Sequence, residues 1–364
     1  MIQPFRMYEV TLRGPARERG RAHGEAVRGP IIEAIGAFSE ALGSAVHVHP
    51  AEIYRRMLAE THFHAAAERW TPELIEETRG IGEGAGIDFD TIMAWQFVQE
   101  VMWFVTDRFP AAPSVLSCTA LGSCPSNGPT ILAQTADNPP FIFGRQTLLH
   151  LTDDRGIKSH VLTFPGIVGV YGLNDRGIGV CINAMVPCMA HSPAGLGASF
   201  IARGILAQSS FESAEWFIRG VPHASGNNFT IGGPGRVVAY ECSANRVKSY
   251  MPETDAPITY HTNHPLANDD TVEFDNPLGL ANSTTRFDTV RRYLEESPQP
   301  VTWERVRDIL SSHDDADHPI CRHPGAEDGS VTCFGIIMEC APEPILHLSS
   351  GPPCCTEFRD FAFA

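Results

Sequence analysis

The chain has 364 residues, 43% of them hydrophobic and 19% charged, which suffices for a large core in one big domain or two ordinary ones. Its formal charge is −16, with Lys158 and Lys248 as the only lysines. An acidic chain without basic clusters repels polyphosphate, which excludes nucleic acid and anionic membranes as expected partners.

In chain order, residues 1–107 are helical by pattern. The opening MIQPFRMYEVTLRG has no apolar stretch of the kind a signal peptide needs, and no later run reaches the length of a membrane span, so a cytoplasmic location is expected. PAEIYRRMLAETHFHAAAERW has helix-compatible spacing from Pro50 onward. TPELIEETRG offers Thr71 as N-cap, Pro72 at the first helical position and Gly80 as a stop. DFDTIMAWQFVQEVMWFV reads as one apolar helix behind an acidic start, and RFPAAPS (108–114) is a Pro-rich connection without periodicity.

From residue 115 the period shifts toward two. Strands are predicted at Leu116–Leu121, Thr130–Thr135, His160–Phe164, Ile167–Leu173 and Gly177–Ala184, with a turn at LNDRG. Helices are expected at Ala198–Gln208 and Phe211–Arg219, the latter behind a Ser209/Glu212 capping box. Strands return at Phe229–Gly232, Val237–Cys242, Val247–Met251 and Ile258–Thr262. Helices at Thr284–Glu295 and Thr302–Ser311 precede strands at Val331–Glu339 and Ile345–Leu348. Blocks of strands separated by helix pairs point to an α+β protein with packed sheets and outer helices.

Several chemistries drop out. GIGEGAG (80–86) follows a helix rather than a strand and lacks a Walker-type lysine, so it reads as a close-packing or helix-ending turn rather than a nucleotide loop. Neither G-x-S-x-G nor H-E-x-x-H occurs. The ten cysteines show no C-x-x-C and irregular spacing, as expected of reduced thiols, and vicinal Cys354–Cys355 reads as structural or incidental. HDDADHPICRH (313–323) offers His313, His318, Cys321 and His323 as zinc-type ligands; its spacing fits no familiar module, and a polar loop bonded to itself is the plainer reading.

Cys118, in SCTALGSC behind the Pro-rich connection, has two routes to reactivity: a neighbouring histidine, or its own α-amine if the chain breaks before it. A free α-amine titrates at about 7.7–8.0 and can accept the thiol proton near neutrality. The break can be self-catalysed by the thiol attacking the preceding carbonyl, and Ser117 is small enough to permit it.

SCTALGSC…NGPTILAQTADN resembles the cysteine branch of the N-terminal nucleophile hydrolases, and within it the acyl-coenzyme A:6-aminopenicillanic acid (isopenicillin N) acyltransferase family. RERGRAHGEAVRGPI, TRGIGEGAGIDFDTIMAWQFVQE, GVYGLNDRGIGVCINAM, YHTNHP, NSTTRFDTVRRYL, HPICRHP, VTCFGIIMEC and LSSGPP then occur in the family's order. The resemblance implies a four-layer αββα sandwich in which 1–117 is a helical pro-region and 118–364 the catalytic fragment, the two staying associated after cleavage between Ser117 and Cys118. It implies Cys118 as nucleophile, Asp137 as the carboxylate orienting the α-amine, Asn183 and Asn263 as the oxyanion pair, and Arg286 as an arginine near Cys118 and Asp137. Thr262 and His264 would shape the site, with neither serving as base. Two positions depart from the family: Ser117 stands where it commonly has Gly, and TAD (135–137) where it has NWD, which turns expectation away from the penicillin nucleus as substrate.

The expected activity is acyl transfer from a linear amide of a small N-acyl compound through a thioester, with no cofactor. Acyl-coenzyme A is an alternative donor, although no basic cluster suits its phosphates. Two rivals stand beside this: a metal-dependent hydrolase or metal-binding protein using the His313–His323 cluster, and an unprocessed, inactive homologue that only binds.

Overall fold

The computed structural model describes residues 7–108, 117–139, 142–185, 188–254, 256–273, 276–296, 300–325 and 329–363. Most of the Pro-rich connection, 109–114, and Leu116 lie outside them. Strand β1 (Tyr8–Leu12) leads into helices α1 (Ala16–Ala26), α2 (Arg28–Val46), α3 (Pro50–Glu60), α4 (Phe63–Trp70), α5 (Pro72–Ala85), α6 (Phe89–Gln96) and α7 (Val98–Thr106). Strands β2 (Ser117–Ser123), β3 (Thr130–Asn138), β4 (Thr147–Thr152), β5 (Lys158–Thr163), β6 (Tyr171–Asn174) and β7 (Gly179–Ala184) follow. Then come α8 (Ala198–Leu206), α9 (Phe211–Gly220), β8 (Asn227–Gly233), β9 (Arg236–Cys242), β10 (Val247–Tyr250) and β11 (Ile258–His261). The chain closes with α10 (Pro277–Glu295), α11 (Trp303–Leu310), β12 (Val331–Cys340), β13 (Ile345–Ser349) and β14 (Phe358–Ala362).

The strands form two sheets, one ordered β1-β4-β5-β6-β7-β8-β9-β10 and the other β11-β2-β3-β12-β13-β14. Among the strand pairs of the described residues, only β1–β4 is parallel. Strands β2 and β3 face β7, β8 and β9 across the interior. Helices α8 and α9 cover β6, β7 and β8, while α10 and α11 cover β11, β2, β3 and β12, completing the expected αββα sandwich.

The period-two pattern sorts side chains between these layers. In β12, Ile336 and Met338 enter the core between the sheets, and Ile337 joins the cluster under α10 and α11 with Val290, Ile309 and Leu310. In β2, Ala120 faces the first core and Leu121 the second. Cys118 shares the parity of Ala120 and Thr119 that of Leu121, so the strand aims Cys118 at the sheet interface and Thr119 at α10.

Several expected boundaries shift for identifiable reasons. Gly80 does not stop a helix. It lies inside α5, because Gly20 and Gly24 of α1 meet Gly80 and Gly84 of α5 with no room for side chains: a Cβ on Gly80 would sit 2.1 Å from the Arg17 carbonyl oxygen. The expected apolar helix over 88–105 breaks at Phe97, whose backbone leaves helical geometry while its ring packs on Phe63 at 4.9 Å and Phe200 at 5.3 Å. The segment from Pro50 also breaks, at Thr61, whose extended backbone ends α3. The capping box of α9 uses Ser210 and Ser213, one residue later than Ser209 and Glu212. Strand β6 is shorter than the predicted Ile167–Leu173, and β1, β4 and β14 were not expected.

Candidate active site

Four of the five residues assigned by resemblance form one hydrogen-bonded cluster. Cys118, one residue into β2 and buried, donates its backbone N–H to Asn263 Oδ1 at 2.9 Å, and its sulfur lies 3.4 Å from Asn263 Nδ2. Asn183, at the end of β7, directs Nδ2 to the Cys118 carbonyl at 3.2 Å. Arg286, projecting from α10 and fully buried, donates Nη1 to the Cys118 carbonyl and to Thr119 Oγ1, each at 2.8 Å, and Nη2 to Asn263 Oδ1 at 2.8 Å. Ser117 pairs in register with Asp137 of β3, the fifth residue. Asp137 accepts from Thr332 Oγ1 at 2.6 Å and forms a buried ion pair with Arg322 Nε at 3.5 Å.

Neighbouring groups hold this arrangement. A bulge in β12 between Thr332 and Phe334 turns Thr332 to Asp137, and Thr332 Oγ1 also accepts the Arg322 backbone N–H at 2.7 Å. Asn228 donates to Asn183 Oδ1 at 2.9 Å, which leaves the Asn183 N–H groups to face Cys118 and the His261 carbonyl. Gln134 of β3 bonds both backbone groups of Ile182, donating at 2.6 Å and accepting at 2.9 Å, and so ties the two sheets beside Asn183. Glu241 accepts the backbone N–H groups of Leu266, Ala267 and Asn268 and lies 2.8 Å from His261 Nε2, clamping the loop that carries Asn263. Burial opposes charge on Glu241, but His261 and these N–H groups hold its pKa below the ordinary value.

Sequence reasoning passed over Gln134, Asn228, Glu241 and Thr332. Arg322 stood in the quoted HPICRHP without an assigned role; its signal was an arginine inside an ordered family motif. Thr262 and His264 do lie beside the site: His264 Nδ1 is 2.8 Å from Ser283 Oγ, which accepts the Asn263 backbone N–H at 2.8 Å. Burial, helped by His261 and Arg286, lowers the His264 pKa to about 4.

Burial raises the Cys118 thiol pKa, the Asp137 charge adds to the rise, and Asn263, the Ala184 backbone and Arg286 oppose it. In the uncleaved chain the net shift is upward, so the thiol is protonated at neutral pH and a base is required. Cys118 lines a cavity of about 400 Å³ whose walls include Phe38 and Leu42 of α2, Trp95 of α6, Met102 and Val105 of α7, and Ile182 of β7. Ser117, Asp137 and Asn138 are among its polar lining residues. The arrangement combines a thiol, two carboxamide donors and an apolar recess, the elements of an acyl-transfer site.

Fold and comparison together define the class: a four-layer αββα sandwich of an acyl-transferase family. Residues 124–344 match the acyl-coenzyme A:6-aminopenicillanic acid acyl-transferase family, and the chain belongs to it. The matched stretch contains Asp137, Asn183, Asn263, Arg286 and Arg322 and begins after Cys118. Similar solved structures include the Caenorhabditis elegans N-acylethanolamine-hydrolyzing acid amidase ortholog, with 16% identity, TM-score 0.43, and coverage of 61% of this chain and 92% of that one. Penicillin V acylase from Agrobacterium tumefaciens matches with 12% identity, TM-score 0.40 and coverage of 64% and 83%. A mutant of conjugated bile acid hydrolase from Clostridium perfringens matches with 10% identity, TM-score 0.38 and coverage of 68% and 97%. No curated protein matches the chain. Among the described residues no single helix is long and apolar enough to cross a membrane.

Proposed function

We propose that this chain cuts itself between Ser117 and Cys118 and then acts as an N-terminal-cysteine amidohydrolase or acyltransferase on a linear amide whose acyl group is apolar. One observation carries the reading: Cys118 lines an apolar cavity and its sulfur lies within reach of the Asn263 carboxamide, while Asn183 and Arg286 converge on its carbonyl.

In self-processing the Cys118 sulfur attacks the Ser117 carbonyl carbon. The C–N bond breaks as the Cys118 nitrogen takes up the proton, and water hydrolyses the resulting thioester. The products are a Ser117 carboxylate and a free Cys118 α-amine. That amine then removes the thiol proton, and the thiolate attacks the substrate amide carbon. Asn183 and Asn263 supply N–H groups to the developing oxyanion, the point at which preorganised donors act most strongly. The amine returns the proton to the leaving nitrogen, and water or a second amine resolves the thioester. Asp137, opposite Ser117, is suited to orient the ammonium form.

The cavity supports the choice of acyl group. Its aromatic and aliphatic walls favour a hydrocarbon chain or ring, at about 25 cal/mol for each Å² removed from water. They also come from both sides of the cleavage point, so the recess requires the fragments to stay together. Coenzyme A is a poorer fit, since no lysine or arginine is among the described residues that line the cavity, and Arg286 and Arg322 are buried on Cys118 and Asp137.

Intact mass under denaturing conditions tests the processing step. Species matching residues 1–117 and 118–364 are expected, with only the full chain in Cys118→Ala. The wild type should release amine from N-acyl amides at a rate that rises with acyl hydrophobicity, and Cys118→Ala should lose about 10⁴-fold or more. A full-length wild type that persists on incubation yet hydrolyses amides would remove the α-amine base.

A further inference from the structure

The loop after α11 and the loop between β13 and β14 bring four ligand-type side chains to one point: His313, Cys321, His323 and Cys354, whose donor atoms all lie within 4.8 Å of one another. Cys354 replaces His318 of the expected set; His318 Nδ1 instead lies 3.5 Å from Asn282 Nδ2. The shortest separations are 3.1 Å between the two histidine Nε2 atoms, 3.2 Å between His323 Nε2 and Cys354 Sγ, and 3.5 Å between Cys321 and Cys354 Sγ. Tetrahedral zinc with ordinary bond lengths requires edges of about 3.3 Å for N···N, 3.6 Å for N···S and 3.8 Å for S···S. These three of the six edges fall a few tenths of an ångström inside those values, in the same order, and with all donor atoms within 4.8 Å of one another the set closes on an ion by side-chain shifts of about 1 Å or less.

We propose that His313, Cys321, His323 and Cys354 form a structural zinc site. Four protein ligands close the coordination sphere, so the site has no open position for substrate water and is not a hydrolytic centre. None of the four residues lines the apolar cavity. The ion displaces the two thiol protons to solvent, and the resulting Zn²⁺ with two thiolates and two neutral imidazoles carries no net charge; Cys321 is buried, and His313, His323 and Cys354 are exposed.

The site acts as a clamp. Its two loops are distant in sequence, and between ligands Cys321 and His323 stands Arg322, the ion-pair partner of Asp137. Zinc would fix the residues on either side of Arg322 to the β13–β14 loop and so hold the guanidinium against the Asp137 carboxylate. Cys355, adjacent to Cys354, directs its sulfur to the Pro352 carbonyl at 3.6 Å and provides an internal control.

The test uses the full chain purified with a phosphine reductant and no chelator. Elemental analysis should give about one zinc per chain, lost on prolonged chelation and restored by zinc addition. Cobalt loaded into the stripped protein should show tetrahedral d–d bands and thiolate charge transfer. Cys354→Ser and His323→Ala should lose the metal and these bands, whereas Cys355→Ser should keep both. Alkylation mapping of the wild type serves if the ligand variants fail to fold: zinc should protect Cys321 and Cys354 but not Cys355, and chelation should expose them. Less than about a tenth of an equivalent after zinc loading would overturn the proposal, as would full metal in Cys354→Ser. A Cys321–Cys354 disulfide in protein isolated without reductant would also overturn it. No readout depends on amide cleavage, so its failure and that of the acyl-transfer reading are separable.

Discussion

At the scale of single residues, the site depends on side chains that never approach the Cys118 sulfur. Glu241 is the clearest. It is fully buried, and its carboxylate gathers three consecutive backbone N–H groups and the His261 ring into a clamp on the loop that begins at Thr262. That loop delivers Asn263, which bonds both the Cys118 nitrogen and the Arg286 guanidinium. Glu241→Gln keeps the shape but loses the charge that strengthens each bond and presents an NH₂ where an N–H already points. It should cost about 2–4 kcal/mol of stability and slow self-processing and turnover together, by roughly 10–100-fold, with a smaller change in KM because the apolar cavity is untouched. The time course of fragment appearance by mass, beside kcat and KM for an N-acyl amide, checks this. A variant that melts lower but processes at the wild-type rate would reduce Glu241 to a purely structural residue.

At the scale of elements, the α1–α5 pair shows why local propensity misreads this chain. A glycine inside a helix costs about 1 kcal/mol relative to alanine, so Gly80 looks like a terminus. The cost is offset by a backbone approach that only glycine allows, with Cβ positions on Gly20, Gly24, Gly80 and Gly84 all within 2.3 Å of opposing carbonyl oxygens. Gly80→Val should push the helices apart and lower stability by about 3 kcal/mol or more, while Gly36→Ala in α2, whose added methyl meets nothing within 4 Å, should add about 0.4–1 kcal/mol. Thermal melts of the two variants should move in opposite directions; equal shifts would deny the close contact any special role. The same limit governs what the sequence disclosed. Strands such as β3 and β12 were legible from alternating apolar residues that meet two cores. β14, reading Phe-Arg-Asp-Phe-Ala on a sheet edge, is mostly exposed and carries no such signal. Cys118, Asp137, Asn183, Asn263 and Arg286 were legible because each stands in a recognisable local motif. Asn228, Glu241 and Cys354 were not, because their partners lie on other elements and only the fold brings them together.

At the scale of the whole molecule, the two sides of the Ser117–Cys118 bond share one interior. Glu77 of α5 lies between Arg19 and Arg203, the latter 2.8 Å away on α8, and all three are buried. Burial would raise the Glu77 pKa, yet Arg203 and Arg19 hold it low. His23 of α1 accepts the Gly166 N–H at 3.3 Å across the same boundary, and burial lowers its pKa to about 4 despite the nearby Glu77 charge. His223, bonded to the Ile218 carbonyl at 2.9 Å, is likewise lowered to about 4 by burial. Both imidazoles are therefore neutral in the fold and protonate near 6.5 when the chain unfolds. Between those values the unfolded state binds more protons, so stability rises with pH across the window and is lost on acidification from about 6.5 toward 4. Each histidine contributes up to about 3 kcal/mol to that loss at pH 4, and Glu77 and Glu241, held below the ordinary carboxylate value by their partners, add to it once the pH falls into the carboxylate range. The melting temperature should fall steeply through this window, and cleaved fragments that co-elute at pH 7 should separate at its acid end. His223→Gln retains a donor for the Ile218 carbonyl and removes one titrating group, so its melting temperature should depend less on pH than the wild type's. An unchanged slope would mean that His223 takes up its proton without leaving the fold.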